Sequence, residues 1–92
     1  MKNLIIIGRR WFDKAYGNTY HSVEICIDEN TVKIPYQYGY GDQYVYTAID
    51  YLKKEKLIET DKTVSWQIFE ELREQGIYVK TFVFDVNRKK DL

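Results

Sequence analysis

The pattern of apolar and polar positions predicts three strands in the first part of the chain. They cover residues 3–12, 19–28 and 31–36. The first contains a continuous aliphatic run over residues 4–7, which indicates a buried strand. The other two alternate with a period of two, which sends successive side chains to opposite faces of a sheet, so each is expected to bury one face. In the second strand that face holds His21, Val23, Ile25 and Ile27, and in the third it holds Val32, Ile34 and Tyr36. Pro35 cannot donate a ladder hydrogen bond, which predicts that the third strand lies at an edge.

Two amphipathic segments with helical spacing follow. The first is expected to begin at Asp42 as N-cap and to run to about Lys56. Its apolar stripe consists of Tyr44, Ala48, Ile49 and Leu52. The second covers residues 64–75, with Thr63 or Asp61 as cap and Gly76 just past its end. Its stripe of Trp66, Phe69 and Leu72 is expected to be buried against the sheet.

A last strand is predicted over residues 77–87, where the period returns to two. This segment is apolar on both sides in its centre, so we expect a central strand that pairs with the first one. The order is β-β-β-α-α-β, which predicts an α+β fold with a four-stranded antiparallel sheet and both helices on one face. With 92 residues, the chain is expected to form a single domain over residues 1–92.

The cysteine and histidine content argues against an enzyme. Cys26 is the only cysteine and His21 the only histidine. On one strand these residues would face opposite sides, roughly 16 Å apart, so they cannot form a catalytic pair. A lone histidine on an apolar face is expected to be a hydrogen-bonded core residue. No zinc-ligand spacing, phosphate loop or nucleophile motif is present, so neither a metal nor a cofactor is expected.

The cysteine content and the apolar runs also bear on location. A single cysteine favours a reducing compartment, and the apolar run of residues 4–7 is too short for a signal peptide or a membrane span. We therefore expect a cytoplasmic protein that does not contact a membrane.

Aromatic residues are the unusual feature of the composition, with nine Tyr, four Phe and two Trp. They form one cluster with arginines around residues 9–20 and a second, glycine-jointed cluster around residues 36–46. Tyr, Trp and Arg dominate binding hot spots because they bury much area and keep a polar tip. The predicted binding residues are Arg9, Arg10, Trp11, Tyr16, Tyr38 and Tyr40. Packing of the strand-to-helix corner is the alternative explanation for the second cluster.

The charge pattern leaves nucleic acid open as a partner. Fourteen basic and fourteen acidic residues give a net charge of zero, which argues against a non-specific polyanion binder. Nevertheless, Arg9, Arg10, Lys14 and Lys33 could follow a phosphate backbone while aromatic rings stack on bases. Because the helices are rich in acidic residues, this function requires a basic sheet surface opposite acidic helices.

Two segments in the first half of the chain resemble a known family. Residues 9–12 and 16–23 read RRWF and YGNTYHSV, and residues 35–41 read PYQYGYG. This pattern resembles small proteins encoded by bacteriophages and other mobile elements, for which no catalytic or binding residues are assigned. The resemblance implies an accessory protein that acts in a host cytoplasm.

The resemblance and the aromatic clusters together favour one function. We expect a non-enzymatic binding protein that inhibits or modulates a host protein or defence complex, as anti-CRISPR proteins do. A small nucleic-acid-binding domain that uses the basic, aromatic first hairpin is the alternative. Neither hypothesis fixes the oligomeric state, and a homo-oligomer remains compatible with both.

Overall fold

All of the predicted strands and helices are present in a computed structural model that describes residues 1–92. The elements are β1 (Asn3–Asp13), β2 (Asn18–Ile27), β3 (Asn30–Tyr38), α1 (Gln43–Lys54), α2 (Ser65–Glu74) and β4 (Tyr78–Val86), followed by a 3-10 turn at Lys89–Asp91. Gly76 follows the C-cap of α2 with a φ of 86°, as expected for the position past a helix end. The predicted α+β class and the order of the elements are therefore confirmed.

The four strands form one sheet in the order β3-β2-β1-β4. β1–β2 and β2–β3 are antiparallel, but β4 runs parallel to β1. The sheet is thus mixed, and the prediction of a purely antiparallel sheet is wrong in this respect. The predicted pairing of the last strand with the first is confirmed.

The connection between the helices explains the parallel strand. The backbone N–H of Ser65 donates to the hydroxyl of Tyr46 at 3.2 Å, so α2 begins beside the first turn of α1. α2 then leads to Tyr78, whose N–H donates to the carbonyl of Lys2 at 2.9 Å. The segment between the helices has carried the chain back toward the start of α1. β4 consequently enters the sheet at the same end as β1.

β4 lies at an edge of the sheet, which contradicts the prediction of a central strand. Val79 is buried beneath α2, but Phe82, Val83 and Phe84 are all exposed. The apolar residues on both sides of this strand therefore do not reflect burial on both sides. β3 forms the other edge, as Pro35 predicts.

Both helices pack on one face of the sheet and enclose a single core. Its buried residues are Leu4, Ile6, Val23, Ile25, Tyr44, Val45, Ala48, Ile49, Leu52, Ile58, Ile68, Phe69, Leu72 and Val79. The predicted stripe of α1 is confirmed, as are Phe69 and Leu72 of α2. Trp66 was expected in the same stripe but is 64% exposed, because the buried face of α2 is formed by Ile68, Phe69 and Leu72.

A β-bulge changes the direction of Tyr36. The register between β2 and β3 shifts between His21 and Val23, so that Val23 pairs with Ile34 while His21 pairs with Gln37. An extra residue in one strand reverses which side chains point inward beyond it. Tyr36 was expected to point inward, and it is instead exposed on the side away from the helices.

Neither helix has the length and apolar character that crossing a membrane requires.

Candidate functional site

The face of the sheet that points away from the helices has no covering helix, and we call it the open face. Strand alternation and the register place on it Ile5, Ile7, Arg9 and Trp11 of β1, Tyr20, Ser22, Glu24 and Cys26 of β2, Thr31, Lys33, Tyr36 and Tyr38 of β3, and Tyr78, Lys80, Phe82, Phe84 and Val86 of β4. Aromatic residues from all four strands lie on this face. Such a concentration of exposed aromatic side chains is typical of an interaction surface.

Four of these aromatic residues contact one another at one end of the open face. The rings of Trp11 and Tyr20 are stacked, with centroids 6.0 Å apart and an interplanar angle of 27°. Tyr36 and Tyr38 each meet Tyr20 edge-on, also at 6.0 Å between centroids. These geometries are the favourable ones for aromatic pairs, so the rings support each other without a core beneath them.

Phe82 and Phe84 extend the aromatic surface onto β4. Phe82 lies beside Ile7 and Phe84 beside Arg9 in the parallel register. The side chain of Phe84 is 54% exposed and that of Phe82 is 45% exposed. The surface therefore reaches from one edge of the sheet to the other.

Basic side chains are interspersed with the aromatic residues. Lys80 lies beside Ile5 on β4, and Lys33 lies beside Glu24 on β3. Arg9 is half-buried, and its Nη1 approaches Oε2 of Glu24 at 3.4 Å. The opposite side of the molecule carries the acidic residues of α2, Glu70, Glu71 and Glu74. The basic residues of the open face thus lie opposite the acidic residues of α2, although α1 adds Lys53 and Lys54 to the helical side.

The segment after β4 crosses part of the open face. The Nζ of Lys89 lies 4.7 Å from the centroid of the Tyr36 ring, and hydrogen bonding with Tyr36 raises the pKa of Lys89 above its usual value. Arg88 Nε and Asp91 Oδ2 form an exposed ion pair at 3.3 Å. A shallow cavity of about 520 Å³ lies between this segment and the sheet. It is lined by Arg9, Ser22, Val23, Glu24, Lys33, Ile34, Pro35, Tyr36, Asp91 and Leu92.

The structure brings together only part of the predicted binding residues. Arg9, Trp11 and Tyr38 share the open face. Tyr16 lies in the turn between β1 and β2 and is 80% exposed, whereas Tyr40 is exposed in the turn before α1. These two tyrosines are accessible, but they do not belong to the open face.

Arg10, the remaining predicted binding residue, points to the side of the helices and makes contacts within the fold. Its Nε and Nη2 donate to the two carboxylate oxygens of Asp85 at 2.8 and 3.2 Å. Its Nη1 donates to the carbonyl of Gly41 at 3.0 Å. The hydrogen-bonded carboxylate raises the pKa of Arg10 above its usual value. Arg10 therefore ties β1 to β4 and to the turn before α1.

His21 and Cys26 lie on opposite faces, as the strand alternation predicts. His21 is 1% exposed and interacts through Nδ1 with the Gly39 carbonyl at 3.1 Å and through Nε2 with Thr47 Oγ1 at 2.8 Å. Because a carbonyl can only accept, Nδ1 carries a proton and donates to Gly39, and both ring nitrogens have hydrogen-bond partners. Cys26 is half-buried on the open face. The expectation of a hydrogen-bonded core histidine is confirmed.

The sequence analysis missed the residues that β4 contributes to the open face. Alternation of Tyr78, Lys80, Phe82, Phe84 and Val86 is visible in the sequence and marks one face of a strand. When the apolar residues on both sides of the strand are considered together, they predict instead that both faces are buried. Lys80 in the same register as the two phenylalanines was the available signal that this face is exposed.

No group of three or more His, Cys, Asp or Glu side chains is arranged as a potential metal site. No known family model matches the chain, and no curated protein or solved structure is significantly similar to it.

Proposed function

We propose that the chain is a non-enzymatic binding protein that holds a partner protein on the open face of its sheet. The observation that carries this proposal is the uncovered aromatic surface formed by all four strands. Monomeric proteins rarely expose large contiguous apolar patches unless a partner covers them. Trp11, Tyr38 and Phe84 are the side chains best placed to act as anchors, because Tyr38 and Phe84 are large and exposed and the half-buried Trp11 lies beside Tyr20 on the same face.

The resemblance to bacteriophage and mobile-element proteins suggests which partner this is. An accessory protein of that kind would act in the host cytoplasm on a host protein or a defence complex, inhibiting or modulating it as anti-CRISPR proteins do. A rigid sheet suits such a role, because a preorganised surface loses little conformational entropy when it binds.

Single-stranded nucleic acid is the second candidate, and the basic residues of the open face favour it. Arg9, Lys33, Lys80 and Lys89 lie among aromatic rings on which bases could stack. The acidic α2 lies on the other side, whereas α1 ends with Lys53 and Lys54, so one of the two helices has the charge that this function requires. The basic surface differs from the one predicted, because Arg10 does not contribute to it and Lys80 does.

Binding measurements on purified protein distinguish the two partner classes. Fluorescence anisotropy with labelled single-stranded oligonucleotides, repeated over a range of salt concentrations, tests nucleic acid directly. A nucleic-acid partner should lose affinity steeply with salt, and Lys80→Ala should reduce the slope. Affinity capture from nuclease-treated host lysate, followed by binding of the purified captured protein, tests a protein partner.

Alanine variants then locate the surface. Trp11→Ala, Tyr38→Ala and Phe84→Ala should each weaken partner binding by on the order of 2 kcal/mol, or roughly thirtyfold. Trp66→Ala is the matched control, since Trp66 is an exposed aromatic residue on the helical side. If Tyr16→Ala and Tyr40→Ala abolish binding while the open-face variants retain it, the partner binds at the turns and the proposal is wrong.

A further inference from the structure

The outer edge of β4 differs from the edge of β3 in having no protective feature. β3 carries Pro35 and contains a β-bulge, which are two devices that prevent strand addition at an edge. β4 contains neither a proline nor a bulge over its nine residues. Its residues 80–85 are all exposed. The only features of the strand that oppose pairing at this edge are therefore the charges of Lys80 and Asp85.

Backbone alternation identifies the groups that are free at this edge. The N–H of Tyr78 points toward β1, since it donates to the Lys2 carbonyl. Alternate residues of a strand point their backbone groups to opposite sides, so Val79, Thr81, Val83 and Asp85 point outward. The Val79 carbonyl accepts a hydrogen bond from Arg73 Nη2 at 3.2 Å. The outward groups of Thr81, Val83 and Asp85 remain available for another strand.

We propose that two copies of this chain pair through the edges of their β4 strands, antiparallel and with Val83 on the two-fold axis. In this register Val83 faces Val83 of the second copy, and Thr81 faces Asp85 on either side. All three outward residues then exchange both backbone hydrogen bonds with their opposite residues. Arg73, by occupying the Val79 carbonyl, ends the ladder at that point. The inference is independent of the proposed partner on the open face.

The side chains are complementary in the same register. On the open face, Phe82 of each copy lies opposite Phe84 of the other, in the closely spaced type of pair. On the helical side, Thr81 can donate its hydroxyl to the carboxylate of Asp85. Lys80 lies opposite Val86, so no like charges face each other. The two open faces would join into one continuous aromatic surface.

A second copy fits this edge better than an unrelated strand for a simple reason. The register that uses the free backbone groups is also self-complementary in its side chains, as an isologous interface requires. A strand from another protein would have to supply a matching sequence. Pairing of this edge with a strand from another protein is one of the outcomes that the experiment distinguishes.

Charge variants at the axis test the proposal. Val83 is 38% exposed, so a polar side chain can be accommodated there. We expect the wild-type protein to sediment at twice its monomer mass of 11.1 kDa. Val83→Lys and Val83→Asp each place like charges opposite themselves, and each should weaken the dimer by about tenfold or more. An equimolar mixture of the two variants should recover the dimer, since lysine then faces aspartate.

Thr31→Lys is the matched control, because it adds a lysine at an exposed position of the other edge strand. This variant should dimerise as the wild type does, and circular dichroism should show that all three variants are folded. A wild-type protein that remains monomeric at its highest soluble concentration would overturn the proposal, and would leave a foreign strand as the only occupant of this edge. A dimer that survives Val83→Lys uses another surface. If the equimolar mixture of Val83→Lys and Val83→Asp stays monomeric, Val83 does not lie on the two-fold axis of the dimer.

Discussion

Both faces of the sheet carry large apolar side chains, but the two faces have different surroundings. The packed face presents Leu4, Ile6, Val23, Ile25 and Val79 to two helices. The open face presents aliphatic and aromatic residues to the solvent. The difference follows from the number of helices available, since α1 and α2 together cover only one side of four strands. A large apolar side chain therefore contributes to stability on one face and, in the function that we propose, to partner recognition on the other.

Phe69 and Tyr38 provide the largest contrast between the two faces. Phe69→Ala removes a ring from the core and should lower the free energy of unfolding by about 3–5 kcal/mol. Tyr38→Ala removes a ring that is 63% exposed on the open face, and it should cost less than about 1 kcal/mol. Urea denaturation of both variants measures the difference. Equal losses would mean that the open face is covered in solution.

The polar residues of β2 offer a second, smaller contrast. His21→Leu leaves the Gly39 carbonyl and the Thr47 hydroxyl buried without their partner, and should cost about 1–3 kcal/mol. Cys26→Ser, on the open face, should change stability by less than about 0.5 kcal/mol. Thermal melting of the two variants compares them. A loss of biological activity in a stable Cys26→Ser protein that still binds its partner would contradict the non-enzymatic proposal and would implicate the thiol.

Arg9 and Arg10 are neighbours in the sequence and should show the smallest contrast. Arg10→Lys loses the two-point contact with Asp85, which lysine cannot reproduce, and should cost about 1 kcal/mol. Arg9→Lys retains a charge near Glu24 and should be neutral in stability. Chemical denaturation at low and high salt resolves both effects. If Arg9→Lys proves the more destabilising change, the assignment of these residues to opposite faces is wrong.

The predictions from sequence succeeded where they depended on a local period. Alternation in β2 correctly separated His21 from Cys26, and the helical spacing in α1 correctly identified Tyr44 and Leu52 as core residues. The sheet edge at β3 followed from one proline. These features depend on neighbouring residues, which is the information that a sequence pattern contains.

The errors concern features that depend on distant parts of the chain. A strand has the same alternation in either direction, so nothing in β4 could reveal that it runs parallel to β1. The bulge of β3 that includes Tyr36 is set by pairing with β2, and it reverses the direction of a side chain that the pattern placed inside. Likewise, the exposure of Phe82 depends on how far α2 extends over the sheet.

The pairing of β4 with β1 has a consequence for the order in which the protein folds. Arg10 and Asp85, which join these strands, are 75 residues apart in the sequence. β1, β2 and β3 make an antiparallel meander, which can form early during synthesis because its contacts are local. One edge of β1 then has no partner strand until β4 has been synthesised. Contacts between residues so far apart in the sequence are slow to form. The newly made meander therefore exposes the edge of its most aliphatic strand, and this interval is when a nascent chain would be most prone to aggregate.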